Sequence, residues 1–595
     1  MTSYSAPLRD MRFVVHELFN AVDKLTVLPG FEDLSEDLIN AILEECGKLC
    51  EAVLVPLNRV GDVEGCKFKS GEVTTPKGFK EAYKQFANGG WCGLTAGLEH
   101  GGQGLPEILG YLVDEMIGSA NLSFGLYPGL TKGTIVGLSA HGSAEQKKLY
   151  LNKLASGEWQ GTMCLTEAQA GSDLGLLRTK AEPNGDGTYS ISGTKIFISA
   201  GEHDMVENII HLVLARLPDA PSGSRGISMF LVPKFFVEDD GSLGARNGVF
   251  AGSIEKKMGM KAAVACVMNF DNAKGWLLGG PNKGLAGMFT MMNTERLFVG
   301  TQGISQSELA YQSAATYALE RLQGRAAAGP TDPEKPADPI IVHPDIRDKL
   351  LFSRSIIEAQ RALAVWTQLN LDISLRHSDQ AVRQRADDVV GLMTPIIKAS
   401  FTDFGSEITN LCLQVFGGHG YISEYGMEQL VRDVRITQIY EGTNAIQALD
   451  LIQRKLNVDE GRLFNNFVDQ IDKALDRLQN RNDLAEFVLP LRETLDLLIS
   501  TTDVVREQAL SDSNAVGAAA NDYLLLFAHT SYAWMWALMA EKALEKVGGE
   551  KNEFYETKLN VGRYYMAKVL PVTIALHSTI RSGAAPLMAV DSSAF

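Results

Sequence analysis

Residues 414–444 read QVFGGHGYISEYGMEQLVRDVRITQIYEGTN, and this stretch decides how the rest of the chain is interpreted. Within it, Glu441 is a lone carboxylate between Tyr440 and Gly442. A carboxylate beside apolar groups is costly unless it has a task, and general-base catalysis is the commonest such task. A solvated glutamate in a turn is the simpler interpretation of this one residue, so the choice depends on the motifs around it.

The composition is that of a folded protein with room for large cores. The 595 residues are 45% hydrophobic and 21% charged, which are ordinary proportions for a globular protein, and a chain of this length forms about four domain-sized units. The net charge of -17 argues against broad nucleic-acid binding and against docking on anionic lipid. We therefore expect neither a nucleic-acid partner nor membrane association.

The N-terminal residues and the cysteines predict a cytoplasmic protein without a metal site. The first residues, MTSYSAPLRDMRFVVHELF, carry mixed charge and lack the apolar run of a secretory signal. No stretch contains the roughly 18 apolar residues that a membrane-spanning helix needs. The seven cysteines form no C-x-x-C motif, which suits a reducing compartment. Cys46 and Cys50 have helical i, i+4 spacing, but no neighbouring His or Cys completes a ligand set.

The pattern of apolar residues and turn signals divides the chain into five regions. We predict an N-terminal extension (1–38), an α-helical domain (39–160), a β domain (161–282), a four-helix bundle (283–454) and an additional helical domain (455–595). The expected strands are 163–166, 189–192, 195–198, 209–215 and 227–232, which are separated by turn signals and fit a small antiparallel barrel or sandwich. A β block between helical blocks indicates an α+β multi-domain protein.

Three further stretches bear on this division. The proline-rich stretch 326–339 is expected to be an exposed loop. The apolar stretch 521–539 has helical spacing, which favours a core helix over a membrane contact. No G-x-G-x-x-G follows a first strand, which argues against a Rossmann nucleotide site.

Two short segments of the β domain offer groups that suit a flat ring and a phosphate. The loop 163–173, MCLTEAQAGSD, combines small residues with the hydroxyls of Thr166 and Ser172, so its backbone can closely approach a ligand. In the predicted strand KIFIS, Phe197 and Ser199 are two residues apart, and strand alternation places them on one face. Each segment alone is equally compatible with an ordinary turn or a half-buried strand.

Taken together, LTEAQAGSD, KIFIS and the 414–444 stretch resemble the acyl-CoA dehydrogenase family in residues, order and spacing. The similarity covers roughly residues 40 to 450. The N-terminal segment and the extra C-terminal region resemble a long branch of the family, which contains bacterial fatty acyl-CoA dehydrogenases and 3-methylmercaptopropionyl-CoA dehydrogenases. The resemblance implies an FAD enzyme that desaturates an acyl-CoA thioester between Cα and Cβ and passes the electrons to electron-transfer flavoprotein.

The resemblance also implies which residues bind the ligands. The expected FAD contacts are Met163, Leu165, Thr166, Gly171, Ser172, Phe197, Ser199, Arg321, Gln414, Gly417, Gly418 and Thr443. The expected substrate contacts are Ser172, Asn293, Arg296, Tyr440, Glu441 and Gly442. Phe197 stands where the family has tryptophan, which keeps an apolar ring face but loses the indole N–H. Because the matching arginine reaches the FAD of the neighbouring subunit, Arg321 implies at least a dimer.

Two glutamates compete for the role of the base that removes the α-proton. Glu441 matches the family's usual position, and Glu295 in Asn293-Thr294-Glu295-Arg296 matches an alternative position on a bundle helix. We favour Glu441 because the Y-E-G-T context is intact. Two buried carboxylates in one pocket repel each other, so Glu295 is expected to point away or to pair with a cation such as Arg296.

Several functional alternatives remain open at this point. An acyl-CoA oxidase performs the same half-reaction with oxygen as the acceptor, and a non-catalytic relative would retain only the fold. We favour a medium- to long-chain straight acyl-CoA as substrate, with 3-methylmercaptopropionyl-CoA as the alternative. The region 455–595 covers the bundle and the CoA entrance, supplies a dimer surface, or docks on a membrane as such a region does in some long-chain relatives, and the sequence does not distinguish these roles.

Overall fold

The computed structural model of the protein describes residues 4–549 and 552–595, and these begin with a largely helical stretch. Its helices are α1 (Leu8–Arg12), α2 (Ala21–Leu25), α3 (Glu36–Leu49), α4 (Val55–Glu64), α5 (Phe79–Asn88), α6 (Glu107–Ala120), α7 (Leu122–His141) and α8 (Ala144–Ala155). A short hairpin of β1 (Lys67–Lys69) and β2 (Glu72–Thr74) interrupts them. Local sequence sets the helix starts: Ser143 and Gln146 form a reciprocal capping box at the start of α8.

The second stretch is the predicted β domain. Its strands are β3 (Trp159–Cys164), β4 (Lys180–Pro183), β5 (Tyr189–Ser199), β6 (Asn208–Arg216), β7 (Ile227–Pro233), β8 (Phe235–Val237), β9 (Leu243–Arg246), β10 (Val249–Ile254) and β11 (Ala265–Leu278). The segments expected as two strands, 189–192 and 195–198, belong to the single strand β5. Strand β3 ends at Cys164, so Leu165 and Thr166 already lie in the loop that follows.

Seven strands form one sheet, and its pairings close into a ring. Strand β11 pairs with β5, β5 with β4, β4 with β6, β6 with β7, and β7 again with β11. Most pairs are antiparallel, as predicted, but β3 pairs with β6 in parallel over six residues from Trp159 to Cys164. Both partners are buried almost throughout, as is typical of parallel strands.

The third stretch contains the long helices that were expected to form a bundle. They are α9 (Gly284–Glu320), α10 (Pro344–Arg376) and α11 (Gln380–Val415), followed by the shorter α12 (Met427–Val434) and α13 (Asn444–Gln453). The proline-rich stretch 326–339 is a mainly exposed loop, as predicted. Its end is anchored by Asp338, whose carboxylate accepts hydrogen bonds from the backbone N–H of Ala326 (2.9 Å) and the hydroxyl of Thr331 (2.7 Å).

The last stretch is helical, and one of its helices is almost completely buried. The helices are α14 (Arg462–Leu478), α15 (Ala485–Ser511), α16 (Ala515–Leu544), α17 (Asn552–Tyr564), α18 (Val572–Arg581) and α19 (Ala585–Met588). In α16, Trp536 is fully buried and donates its indole N–H to the carbonyl of Ser355 in α10 (3.1 Å). The apolar stretch 521–539 is therefore core. No helix in the described part of the chain combines the length and apolar character needed to span a bilayer.

By its internal contacts the chain divides into two compact units. One comprises Glu45–Phe298 and includes the β domain, and the other comprises residues 4–44 together with Val299–Phe595. The second unit contains a cluster of buried ions. Arg361 contacts Asp10 (2.5 Å) and Glu308 (2.7 Å), and Lys558 contacts Asp10 and Glu358 (2.7 Å to Glu358). Burial alone would raise the pKa of Asp10, but the two cations lower it well below its usual range.

Candidate active site

The loop that carries Glu441 lies between α12 and α13 and has a strained backbone. Glu441 has a φ of 55° and Gly442 a φ of 86°. A residue other than glycine with positive φ is uncommon and costs about 1–3 kcal/mol, so it persists only where the surroundings enforce it, often at a functional site. The Glu441 side chain is half-buried. The backbone conformation therefore fixes the direction in which the Glu441 side chain leaves the main chain.

Side chains on both sides of Glu441 fix the loop. Thr443 caps the start of α13 by accepting a hydrogen bond from the N–H of Ile446 (3.4 Å). The buried side chain of Gln447 donates to the carbonyls of Glu441 (3.2 Å) and Gly442 (3.3 Å). The hydroxyl of Tyr440 donates to Gln302 of α9. The residues predicted to bind substrate around Glu441 are thus part of one hydrogen-bonded loop.

The Gly-Gly turn at the end of α11 leaves open space. Gln414 is exposed in the last turn of α11, and Gly417 (φ 58°) and Gly418 follow the helix. A Cβ added at either glycine would meet no atom within 4 Å. Arg321, just after α9, is exposed as well. These groups present backbone, an amide and a cation to solvent, which suits a polar, anionic ligand.

An aromatic cluster that no sequence motif indicated supports this turn. Tyr317 of α9 stacks on Phe416 with 4.1 Å between ring centroids, and the Tyr317 hydroxyl lies 2.8 Å from His419 Nδ1. His419 in turn stacks on Tyr425 at 4.5 Å. Tyr317 lies one helical turn before Arg321, whose backbone N–H donates to the Tyr317 carbonyl (2.9 Å). The cluster connects the arginine with the Gly-Gly turn.

In the other unit, the loop after β3 presents the predicted hydroxyl groups. Met163 is buried at the end of β3, and Thr166 is half-buried. Gly171 and Ser172 are exposed, and a Cβ added at Gly171 would meet no atom within 4 Å. The carbonyl of Thr166 accepts a hydrogen bond from the N–H of Ile196 in β5 (2.9 Å), so the loop is attached to that strand.

A buried ion pair beneath this loop was not anticipated from the sequence. Lys195 of β5 is fully buried, and its ammonium group donates to Glu167 Oε1 (2.8 Å) and to the carbonyl of Leu165 (2.9 Å). The Glu167 carboxylate also accepts from the N–H groups of Arg178 (2.7 Å) and Thr179 (3.0 Å). Burial would raise the pKa of Glu167, but the charge and hydrogen bond of Lys195 and further hydrogen bonds lower it to about 2. Burial lowers the pKa of Lys195, and Glu167 opposes that change.

Strand β5 has a bulge at Phe197, but Phe197 and Ser199 are both more exposed than Ile198 between them, so their expected placement on one face stays a prediction. The register of β5 against β11 shifts between Lys195 and Ile198, and Phe197 has a φ of 60°. This bulge breaks the period-two rule. Lys195 is buried whereas Phe197 is 60% exposed, although strict alternation would give both the same environment. The bulge turns an apolar ring outwards, beside the loop that carries Thr166.

The alternative glutamate, Glu295, is buried in α9. It is 2% exposed, and its carboxylate packs against α7 so closely that a Cβ at Gly133 would lie 2.2 Å from Oε1. Arg296 is also buried, and one of its Nη atoms lies 3.4 Å from Asn293 Oδ1. The pairing of Glu295 with Arg296 that we expected stays a prediction.

Each of these two sets of residues, taken by itself, offers groups that suit a part of a flavin dinucleotide. The β domain offers an exposed aromatic ring at Phe197, hydroxyls at Thr166 and Ser172, and open space at Gly171. The helical unit offers the open Gly-Gly turn and the exposed Arg321. Aromatic rings suit a flat heterocycle, and hydroxyls, free backbone and cations suit a pyrophosphate. Among residues 4–549 and 552–595, no group of three or more His, Cys, Asp or Glu is placed to hold a metal ion.

Family profiles match most of the chain. "Acyl-CoA dehydrogenase, N-terminal domain" matches residues 40–158, "Acyl-CoA dehydrogenase, middle domain" residues 162–273, and "Acyl-CoA dehydrogenase, C-terminal domain" residues 282–456. A fourth profile, "Acetyl-CoA dehydrogenase C-terminal like", matches residues 467–591.

Individual proteins are similar over nearly the full length. The 3-methylmercaptopropionyl-CoA dehydrogenase of Ruegeria pomeroyi is 42% identical over 582 residues, which are 97% of this chain and 98% of that protein. A broad-specificity linear acyl-CoA dehydrogenase of Mycobacterium tuberculosis is 31% identical over 614 residues, covering 100% of both chains. The structure of an acyl-CoA dehydrogenase complexed with FAD from Bacillus anthracis shares the fold, with a TM-score of 0.71 and 21% identity over 97% of this chain and 96% of that chain.

Proposed function

The chain belongs to the acyl-CoA dehydrogenase family, whose members are flavin-dependent oxidoreductases that bind FAD, and we propose that it converts an acyl-CoA to the trans-2-enoyl-CoA. The reaction removes a proton from Cα and a hydride from Cβ, and the electron pair of the broken Cα–H bond forms the new double bond. FAD, when bound, accepts the hydride. The remaining tasks of binding, orientation and proton removal fall to the residues of this chain.

The observation that supports this proposal most is the backbone of Glu441. We assign the α-proton to its carboxylate, which is half-buried on a loop held by Gln447 and Thr443. The α-proton of a thioester is too weakly acidic for a free carboxylate, so the site must raise the basicity of the carboxylate and stabilise the enolate. Substrate that displaces water from Glu441 does the first, and the backbone N–H of Glu441 supplies a donor for the thioester carbonyl.

Exposure favours Glu441 over Glu295 as the base. A base must reach the proton it removes to within hydrogen-bond distance. Glu441 is accessible on its loop, whereas Glu295 is 2% exposed and packed against Gly133. We propose Glu441 as the catalytic residue. If substitution of Glu441 leaves flavin reduction intact, Glu295 is the alternative base.

We assign the remaining predicted residues to ligand binding. The proposed FAD contacts are Met163, Leu165, Thr166, Gly171, Ser172, Phe197 and Ser199 in one unit, and Arg321, Gln414, Gly417, Gly418 and Thr443 in the other. The proposed substrate contacts are Ser172, Asn293 and Arg296, and also Tyr440, Glu441 and Gly442. We also propose that electron-transfer flavoprotein is the electron acceptor and that the chain forms at least a dimer. We place the protein in the cytoplasm.

We propose two candidates for the acyl group of the substrate. A straight medium- to long-chain acyl-CoA agrees with the 31% identity to a linear acyl-CoA dehydrogenase. A second candidate, 3-methylmercaptopropionyl-CoA, is favoured by the 42% identity to a 3-methylmercaptopropionyl-CoA dehydrogenase. The two differ in shape, because the thioether chain has the length of a short five-atom acyl group whereas a long chain needs a deep pocket.

Anaerobic bleaching of the flavin tests the proposal. Purified FAD-loaded protein is mixed with straight acyl-CoA from four to eighteen carbons and with 3-methylmercaptopropionyl-CoA, and the rate of flavin reduction is recorded for each. We expect at least one thioester to bleach the flavin and to yield the enoyl product. A loaded flavin that no acyl-CoA reduces contradicts the proposal, and hydrogen peroxide released at the turnover rate in air would replace it with an oxidase.

A further inference from the structure

One carboxylate contacts both flanks of the strained Glu441 loop. Asp403 lies in α11, and its Oδ1 accepts a hydrogen bond from Gln438 Nε2 (2.6 Å) and another from Asn444 Nδ2 (2.7 Å). Gln438 precedes Glu441 by three residues and Asn444 follows it by three. A single oxygen atom therefore joins the two ends of the segment in which the left-handed backbone occurs.

A buried lysine of the same helix completes the contact with Asn444. Lys398 is 0% exposed, and its ammonium group donates to Asn444 Oδ1 (2.8 Å). The Asn444 amide also donates to the hydroxyl of Thr402 (2.9 Å) and to the carbonyl of Ala399 (3.2 Å). Both ends of the Asn444 side chain are thus engaged by α11, and a side chain of different shape cannot replace them all.

The cluster is charged and partly buried: Lys398 is fully buried, whereas Asp403, Gln438 and Asn444 are half-buried. Burial raises the pKa of Asp403, and hydrogen bonds from Gln438 and Asn444 together with the charges of Lys398 and Arg435 oppose that rise. Ionised hydrogen-bonding partners in such surroundings are strong and directional. Arrangements of this kind fix geometry better than neutral contacts do, which is what a loop with an unfavourable backbone conformation requires.

We propose that Asp403 and Lys398 are positioning residues for Glu441, which hold the catalytic loop in its left-handed conformation so that the carboxylate meets the α-proton. This inference rests on the proposed function of Glu441 as the base. Asp403 holds the loop through Gln438 and Asn444, and Lys398 holds it through Asn444. Two residues of a bundle helix that carry no motif of their own thus take part in positioning the base.

The decisive measurement separates proton removal from binding and folding. FAD-loaded Asp403→Ala is mixed anaerobically with the acyl-CoA that bleaches the wild-type flavin fastest, and the reduction rate constant is determined over a range of substrate concentrations. Exchange of the substrate α-proton with solvent deuterium is measured in parallel by mass spectrometry. Misplacement of a reacting group by about 1 Å costs on the order of 100-fold in rate, so we expect both rates to fall about 100-fold, with unchanged FAD content and unchanged half-saturating substrate concentration.

Two further variants serve as the graded test and the control. Asp403→Asn keeps one acceptor oxygen and should lose about 10-fold, and it also supplies the test if Asp403→Ala does not retain FAD. Asp388→Asn removes a buried carboxylate of α11, whose partners are Gln384, Arg462 and Asn466 rather than the loop. It should lower the unfolding midpoint while leaving the reduction rate within threefold of the wild type.

The outcomes distinguish this inference from the proposed function. If no acyl-CoA reduces the wild-type flavin, the proposed function is wrong and the loop has another role. If the wild type is reduced and Asp403→Ala is reduced within threefold of the wild-type rate, the positioning role is wrong while the function stands. If Asp388→Asn lowers the reduction rate as much as Asp403→Ala does, the effect of Asp403 is one of fold stability and the positioning role is wrong.

Discussion

Lys195 and Glu167 form an ion pair with 2.8 Å between Nζ and Oε1, and both side chains are at most 5% exposed. The pair joins strand β5 to the loop after β3, because Lys195 also binds the carbonyl of Leu165. Phe197 and Thr166, which are proposed FAD contacts, lie on these two segments. The relative position of the two segments therefore depends on one buried charge pair.

We predict that Glu167→Gln destabilises the protein by about 3–5 kcal/mol, because removal of one partner leaves the other charge buried and unpaired. The measurement is the free energy of unfolding of the FAD-free protein in denaturant, followed by tryptophan fluorescence. The FAD affinity should fall as well, since the loop is no longer held to β5.

The exposed pair Lys153–Glu158 in the same unit provides a control for this variant. Its side chains are 39% and 49% exposed, and Glu158→Gln should change the unfolding free energy by no more than about 1 kcal/mol. The double variant Glu167→Gln with Lys195→Met should recover part of the loss, because no charge is then buried alone. A single variant as stable as the wild type would show that the pair contributes nothing.

The same pair predicts how stability depends on pH. The pKa of Glu167 in the folded protein is about 2, below the value of roughly 4.3 of an unfolded glutamate. A carboxylate with a lowered pKa stabilises the folded state above the unfolded value, and this contribution is lost as the pH falls towards the folded value. The stability difference between wild type and Glu167→Gln should be constant above pH about 5 and shrink progressively below it. A difference that grows on acidification would refute this assignment.

Glu441→Gln should abolish flavin reduction without loss of the flavin. The amide cannot accept the α-proton, and the loop contacts of Thr443 and Gln447 involve no atom of the Glu441 carboxylate. We expect a reduction rate at least about 10³-fold lower, within the range of general-base contributions, with the yellow colour and acyl-CoA binding retained. Single-turnover absorbance at the flavin band measures both. Glu295→Gln is the matched variant and should reduce within tenfold of the wild type; the reverse pattern would assign the base to Glu295.

Phe197→Ala should weaken FAD binding with little effect on folding. The ring is 60% exposed, so its removal costs the apoprotein little packing, whereas a stacked heterocycle would lose its aromatic partner. We expect the FAD dissociation constant to rise about tenfold and the apoprotein unfolding midpoint to stay within about 2 °C. Fluorescence of released FAD on dilution reports the constant. An unchanged constant would remove Phe197 from the proposed site.

The order of helical and β regions and the Glu441 loop could be predicted from the sequence, because turn residues, periodicity and the Y-E-G-T context are local signals. The bulge at Phe197 could not, since it depends on the register of β5 against β11 rather than on the KIFIS segment itself. The parallel pairing of β3 with β6 is likewise a long-range choice. Lys195 shows the limit most clearly: a lysine in a strand is expected at the surface, and only the tertiary structure reveals Glu167 beside it.

The positioning residues were missed for a related reason. Asp403 and Lys398 lie in the middle of a long helix, where charged residues usually face solvent, and their partners are more than 30 residues further along the chain. The left-handed backbone of Glu441 was equally hidden, because a glutamate gives no local sign of positive φ. The adjacent Gly442 is the one signal in the sequence that such a conformation leaves.

The cluster of Asp10, Arg361 and Lys558 has a consequence for folding during synthesis on the ribosome. Lys558, a partner of Asp10, is synthesised 548 residues after it. At about 5–20 residues per second, that interval lasts roughly half a minute to two minutes. The unit Glu45–Phe298 is continuous in sequence, so it can fold as it emerges. The unit that carries Glu441 can close only after nearly the last helix has left the exit tunnel, and until then its N-terminal segment is exposed to chaperones and proteases.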